Sequence, residues 1–520
     1  MTATHGRAGR AKTGSSYSTG LLFSLASFAG IAAITLFTGV LSARLYGIAV
    51  VGQAALVLAP VVIVTLLSTV REQPSMVREL AKLTPRHPRA TGITLAVFVF
   101  SFALTAVVTL IGVGLCYLAF RGPLHHPDLF APAAVGLCGY LVIINTCWNI
   151  DGVFGAFRAA RELFAVRLHQ AVMYGLLLVA FNITTHSVWG MLFAFLGSWA
   201  TALVHRLFLL RRVLRLRVSA RDIRGGFDTL RTIVSFGLKM TPGFLATGLS
   251  EASGTWIIGA TSSVSAVGAY SRAWNFATRL TELNWRITEM LLPTLVQHRH
   301  DGDIESFDRI VTESIRYAAF GMLLPAAVGG GAADALMRVF GEGFDAAAPA
   351  LRLLLFVPLL QTLTAIQGAA LVAHDRPWLT AVAQVLRFGV TAIAGIVLAT
   401  LYGITGMAVA MAAGSLVCFV AYHVILHVRL RTATPTLFKR RQLGGFAAAY
   451  AGGFVVAHVI EAAVGGDLGL LAALGAGSAA YVAVAVAVGG TTVRDRARIR
   501  SVAGRLMKAR IARAEMSGAA

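Results

Sequence analysis

SRAWNFATRLTELNWRITEM (residues 271–290) places Arg272, Arg279, Glu282, Arg286 and Glu289 in one twenty-residue stretch of a chain otherwise dominated by membrane-length apolar runs. Whether this stretch crosses the bilayer fixes the number of helices, the side on which each loop emerges and the depth at which charge is placed.

The surroundings supply the frame. Of 520 residues, 57% are hydrophobic and 13% charged, and the mean hydropathy is +0.74, which is the composition of an integral membrane protein. Only helices and closed barrels satisfy their own backbone in lipid, and apolar runs of about 20 residues select helices. Such runs recur from Gly20 to Gly490 at 20–43, 48–70, 90–120, 130–150, 163–182, 188–209, 233–259, 263–297, 306–340, 346–372, 378–401, 403–428, 443–464 and 467–490. The expectation is an all-α fold of fourteen spans. The run 20–43 is too long for a signal-peptide core and reads as a retained first helix.

The formal net charge of +22 does not indicate nucleic acid, because the basic residues sit in short connections beside apolar spans. They collect in the N-terminus, 71–90, 157–161, 211–224, 429–441 and the tail from Arg494. By the positive-inside rule both termini are cytoplasmic. Loops 211–224 and 429–441 must then share a side, which requires an even number of crossings between them. Counting the opening stretch gives six and omitting it gives five, so the sequence predicts that it spans rather than lying on the surface.

At a shift of 216 residues, Val51-Gly52 falls on Val267-Gly268, Gly152 on Gly368, Ala165-Val166 on Ala381-Val382, and Gly190-Met191 on Gly406-Met407. One constant offset at four separated places predicts two copies of a six-helix unit. The expected domains are a basic cytoplasmic N-terminus (1–19), an N-terminal lobe (20–235), a C-terminal lobe (236–431), an appended helix pair (432–490) and a basic tail (491–520). An even helix count relates the lobes as parallel repeats about the membrane normal, an arrangement used for alternating access.

On a helical projection Arg272, Asn275, Arg279, Glu282, Arg286 and Glu289 fall within an arc of about 100°. Each charge facing lipid at mid-depth would cost at least about 2.5 to 3.5 kcal/mol, so the stripe must face water, a partner charge, or both. Three arginines against two carboxylates leave a cationic surplus. Glu251, Glu313, Arg316, Arg352 and Arg387 add ionisable groups to later spans, whereas the first three spans carry none between their ends. A cleft charged mainly on its second lobe is expected, and its chemistry suits an anionic, hydrophilic cargo, since the arginine fork donates bidentate hydrogen bonds to phosphate and stays protonated. Structural ion pairs stapling helices together are the alternative use of the same residues.

Several collinear stretches, SARLYGIAVVGQAAL (42–56), WIIGATSSVSAVGAYSRAWNFA (256–277), LLPTLVQHRHDGD (291–303), FGEGFDAAAPALRLLLF (340–356), GAALVAHDRPWLTAV (368–382) and YGITGMAVAMAAGSLV (402–417), resemble the polysaccharide (O-antigen type) flippase branch of the multidrug/oligosaccharidyl-lipid/polysaccharide (MOP) exporter superfamily. The resemblance covers residues 20–432. It implies a two-lobed, V-shaped flippase of the bacterial cytoplasmic membrane that moves a polyprenyl-diphosphate-linked glycan from the inner to the outer leaflet. Fourteen helices are also similar to the lipid II flippases, but the first two spans lack the arginines and acid which that branch places in its first lobe, which argues against a peptidoglycan precursor as cargo.

On this reading Arg279 and Arg286, with Arg272, Asn275, Arg316 and Arg387, hold the diphosphate. Glu251, Glu282 and Glu289 balance the charge or carry a coupling proton or sodium ion. No other cofactor is expected. The partners implied are the lipid-linked glycan, membrane lipids, and a polymerase and glycosyltransferases acting on the same glycan. The rival is a cation-coupled multidrug or small-metabolite antiporter of the same superfamily, which would favour an acidic cleft. An enzyme is not expected, because no catalytic motif accompanies the Asp301-Gly302-Asp303 turn. Cys116, Cys138, Cys147 and Cys418 lack metal-ligand spacing and read as buried fillers, His125, His126, His298 and His300 as loop residues, and Trp274 and Trp285 as packing residues. The tail 494–513 reads as an amphipathic helix on the anionic inner leaflet.

Overall fold

The computed structural model describes residues 17–69, 72–84, 86–157, 159–214, 219–281, 291–292, 294–374, 377–429, 438 and 440–488, with side-chain detail beginning at residue 30. Glu282, Arg286, Glu289 and Trp285 of the opening stretch, and the tail from residue 489, lie outside the described residues.

No strand occurs among the described residues. In chain order the helices are α1 (Tyr17–Leu67), α2 (Glu72–Leu80), α3 (Pro88–Arg121), α4 (Phe130–Gly139), α5 (Asn145–Ala156), α6 (Ala160–Thr184), α7 (Val188–Val213) and α8 (Ala220–Thr261). They continue as α9 (Val264–Thr278), α10 (Ile304–Gly331), α11 (Ala333–Arg338), α12 (Ala348–Leu354), α13 (Phe356–Ala373), α14 (Pro377–Val424), α15 (Arg440–Val464) and α16 (Gly466–Val488). Nine helices among the described residues are long and apolar enough to cross a membrane. That criterion does not by itself reach the fourteen spans expected from the apolar runs.

Two of the nine are double length for a physical reason. Unbroken, the 51 residues of α1 would extend roughly 75 Å, more than twice a hydrocarbon core of about 30 Å. The backbone instead breaks at Gly47, with φ 75° and ψ 168°, and α14 breaks at Gly403, with φ 56° and ψ −136°. Only glycine enters those conformations without strain. The other two comparable turns need no glycine: α6 and α7 are joined through Thr185–Ser187 and α8 and α9 through Ser262–Ser263. Gly47 and Ser263 are 216 residues apart, as are Ser187 and Gly403.

The two halves of the chain meet at the turns so related. A methyl group on Gly52 would lie 1.9 Å from the Val264 carbonyl oxygen, and one on Gly268 would lie 2.3 Å from that of Ile48. The start of the second limb of α1 therefore crosses the start of α9 backbone to backbone, which only glycine at both positions permits. Around this crossing Arg44 Nε donates to the Val339 carbonyl at 2.8 Å. A continuous core runs from α1 through α4 and α7 to α9, α12 and the middle of α14. A second core gathers α10, α13, the ends of α14 and Phe446 of α15.

The last helix pair packs on α10, with the Tyr481 hydroxyl donating to the Phe320 carbonyl at 2.8 Å. An ion pair from Arg338 at the end of α11 to the buried Glu461 of α15 ties the pair to the rest of the chain.

The opening stretch departs from one straight helix. Its α-helical hydrogen bonding ends at Thr278, and Arg279–Thr281 form a tighter 3-10 turn. The Thr278 hydroxyl donates to the Trp274 carbonyl at 3.0 Å and the Thr281 hydroxyl to that of Thr278 at 2.6 Å. Both draw backbone acceptors into side-chain bonds.

Candidate functional site

The short turn Ser262–Ser263 and the Ser263 cap, whose hydroxyl accepts from Ala266 N at 3.2 Å, aim α9 back across the first half of the chain. The residues of α9 at intervals of three and four then share one face. Arg272, Asn275 and Arg279 all line a cavity of about 520 Å³ whose remaining walls come from α1, α6 and α7, with Phe340. This is the stripe inferred from helical phase, as far as it lies among the described residues.

The cavity wall opposite the stripe was not anticipated. Arg167 and Gln170 of α6 line it, with Thr35 and Thr38 of α1, Tyr174 of α6 and Trp199 of α7. Behind it, Arg206 of α7, only 1% exposed, donates from Nε and Nη2 to the two carboxylate oxygens of Asp151 at 2.8 and 3.1 Å. Its guanidinium also lies 5.4 Å from the centre of the Trp199 ring. The expectation of a cleft charged mainly on its second lobe is therefore qualified, because beside Arg272 and Arg279 the first half contributes its own cation, Arg167, and a buried ion pair behind the wall. The signal was legible: Arg167, Asp151 and Arg206 are ionisable residues in or at the end of apolar spans beyond the third, where such charge is costly and functional or paired by default.

Arg272 reaches across to α1, donating from Nη2 to the Ser42 hydroxyl at 2.9 Å. Its Nε is buried and has no hydrogen-bond partner among the described residues. A guanidinium in the wall of a 520 Å³ cavity is equipped to take an anion.

The other predicted residues fall elsewhere. Glu251 of α8 and Arg387 of α14 line a second cavity, also about 520 Å³, that shares no described lining residue with the first. Arg316 of α10 lies outside both linings, its guanidinium 5.1 Å from the centre of the Tyr317 ring. The structure thus brings Arg272, Asn275 and Arg279 together with Arg167 and places Arg387 in a different chamber. Arg352 forms an ion pair with Asp334, the structural use weighed for it. Trp274 packs against the core, and Cys116, Cys147 and Cys418 are buried while Cys138 is exposed.

A third cavity, of about 410 Å³, adjoins the first. Its described lining is almost wholly apolar, including Val40, Leu280, Leu324, Leu470 and Leu474, and it shares Leu36, Phe276 and Phe340 with the cationic cavity. Leu470 and Leu474 bring α16 to its wall.

Residues 157–340 match a family model described as "Polysaccharide biosynthesis protein", a segment that contains Arg167, Arg206 and the whole stripe. Among solved structures, the chain is similar to the lipid II flippase MurJ in an inward closed conformation, with a TM-score of 0.67 at 12% identity, covering 89% of this chain and 98% of that one. It is also similar to an inward-facing multidrug resistance MATE family transporter of the MOP superfamily, at TM-score 0.55 and 14% identity over 77% and 99% of the two chains. A MOP superfamily transporter from Pyrococcus furiosus gives 0.56 and 15% over 79% and 95%. No curated protein matches in sequence.

The all-helical architecture is therefore the fold shared by lipid II flippases and MATE transporters, and these relatives are flippases and transporters rather than enzymes. The apolar spans and this fold make the chain a multi-pass membrane protein, and the family model that matches residues 157–340 relates that segment to polysaccharide biosynthesis. Its resemblance to the polysaccharide flippase branch of the MOP superfamily rests on both.

Proposed function

We propose that the chain is a flippase that moves a polyprenyl-diphosphate-linked oligosaccharide from the inner to the outer leaflet of the bacterial cytoplasmic membrane by alternating access, for cell-surface polysaccharide assembly. The observation that carries this reading is adjacency. A cavity lined by Arg167, Arg272 and Arg279 adjoins, across Leu36, Phe276 and Phe340, an almost wholly apolar cavity bounded by α10 and α16. A cargo with a diphosphate beside a long isoprenoid chain matches that pair of chambers. Arginine forks take the phosphate oxygens bidentately, and the apolar chamber accepts the first isoprene units.

With both termini cytoplasmic, the Gly47 and Ser262–Ser263 turns lie on the outer side. The Gly52–Gly268 crossing then closes the outer end of the path, and a cargo enters from the inner leaflet. Separating that crossing would open the cavity outward, and a cargo that binds the two arrangements unequally shifts the balance between them.

The rival antiporter for cationic drugs expects acidic walls. The described lining of the cationic cavity contains three arginines and no Asp or Glu, and this disfavours it.

Arg272→Gln and Arg279→Gln, singly and together, test the reading. The expected result is normal amounts of folded protein, loss of surface polysaccharide, and accumulation of the lipid-linked intermediate on the inner leaflet. Normal surface polysaccharide in the double variant would sink the assignment.

A further inference from the structure

The cationic cavity has a neutral band at mid-depth, for which a diphosphate has no use. Its depth is measured from the turns at Gly47, Thr185–Ser187 and Ser262–Ser263, which lie at one end of the bundle. There Tyr46 stacks on His186 with ring centres 5.6 Å apart, and the Gly52 backbone meets that of Val264. Helices α7 and α9 start at that end, at Val188 and Val264. Trp199 and Asn275 are each eleven residues further along, about 16 Å in at a rise of about 1.5 Å per residue. By the same measure Arg272 stands about 12 Å in and Arg279 about 22 Å, and back from Thr184 along α6 Gln170 stands about 21 Å and Arg167 about 25 Å. An aromatic ring from the first half and an amide from the second thus line the cavity at equal depth, between one arginine nearer the turns and two deeper.

Asn275 is exposed although it lies within a span. Its side chain makes no hydrogen bond among the described residues, and only its backbone carbonyl is engaged, by the Thr278 hydroxyl at 3.2 Å. Set one turn from an arginine on either side, the amide neutralises neither. Trp199 is partly exposed, and its ring is held from behind: the guanidinium of the buried Arg206 lies over it, 5.4 Å from its centre, and Phe195 meets it at 6.4 Å. Gln170 accepts from Arg206 at 3.5 Å through Oε1, and its amide N–H groups have no partner among the described residues. A diphosphate has no apolar face for the indole and, ionised, no proton for an amide oxygen. A pyranose has both: its C–H face covers an aromatic ring, and of two adjacent hydroxyls one donates to Oδ1 of Asn275 while its neighbour accepts from Nδ2.

We propose that Trp199, Asn275 and Gln170 seat the first sugar of the lipid-linked glycan, a neutral hexopyranose with vicinal hydroxyls, while the diphosphate rests deeper on Arg167 and Arg279. The proposal rests on the flippase reading and names the sugar-selecting residues of the same cavity. The neutrality of the sugar follows from the band, which holds no charged group.

The test uses full-length protein in lipid nanodiscs and two probes, undecaprenyl diphosphate with and without a single glucose, and reads the ratio of their affinities. The glucosylated lipid should bind at least about fivefold more tightly, the effect of roughly one neutral hydrogen bond or one aromatic contact. Trp199→Leu and Asn275→Leu should each bring the ratio down toward one, and Trp199→Phe, which keeps a ring, should retain part of it. Arg279→Gln should weaken both lipids with the ratio still above one. If Trp199→Leu does not fold, Asn275→Leu carries the test, since that amide is exposed and unpartnered. A wild-type ratio of one, or a ratio untouched by Asn275→Leu or by a folded Trp199→Leu, overturns the sugar seat and leaves the flippase reading standing. Binding of neither lipid by the wild type overturns the flippase reading and the seat with it.

Discussion

Two arginine–acid pairs, one in each half of the chain, sit beside the two arginine-lined cavities, and they are built differently. In the first half, Asp151 and Arg206 are joined through both carboxylate oxygens, and Arg206 also stacks near Trp199. In the second, Glu251 and Arg387 face each other at 3.9 Å across a cavity, with donors of the arginine unspent. The offset of 216 residues sharpens the contrast. It carries Asp151 onto Gln367 and Arg206 onto Tyr422, while Glu251 and Arg387 correspond to Thr35 and Ala171, both of which line the first cavity. The second half has moved its charged pair from behind the wall to the wall itself. The pair behind the wall is a close, two-point contact that ties helices together, although Arg206 Nη1 is itself without a hydrogen-bond partner among the described residues, whereas the pair at the second cavity is loose.

The largest expected effect breaks this contrast if it fails. Asp151→Asn leaves Arg206 buried and uncompensated, a loss of about 3 to 5 kcal/mol, read as a collapse of the thermal transition and of folded yield. Next in size is Gly52→Val. The side chain has no room at the crossing with Val264, and overpacking of this kind costs about 1 to 3 kcal/mol, read in the same melt and in reduced export. Glu251→Gln should change stability by no more than about 0.5 kcal/mol, since a partly exposed, loosely paired carboxylate contributes little. If Glu251→Gln destabilises as much as Asp151→Asn, both pairs are structural and the contrast is lost.

The smallest effect lies outside the membrane. Asp303 caps α10, accepting from Ser306 N at 3.0 Å, and its hydrogen bonds with Ser306 hold the carboxyl below the usual carboxylate range. A depressed native pKa contributes stability above the unfolded value of about 4, lost as pH falls through the native one. Asp303→Ala should therefore lower the melting temperature slightly at pH 7, with a difference from wild type that shrinks in acid.

The helices were legible because hydropathy and length are properties of contiguous residues. The expected spans 90–120, 188–209 and 443–464 lie within α3, α7 and α15, and the break between the expected spans 378–401 and 403–428 falls at Gly403. Helical phase also placed Arg272, Asn275 and Arg279 on one face, and they do line one cavity. The grouping of Arg387 and Arg316 with them was not legible. Both are arginines in spans of the second half, and nothing local distinguishes the chamber each one reaches. Arg167 was overlooked although the rule that singled out the stripe applies to it equally.

The sequence by itself determined the class: a chain whose apolar runs reach about 20 residues satisfies its backbone in lipid as helices, and its basic loops predict its sidedness. The tertiary structure decided which charges act together. Side chains hundreds of residues apart meet only where the helices cross, and the crossing at Gly52 and Gly268 swings α9 against the first half while leaving Arg387 to a chamber of its own.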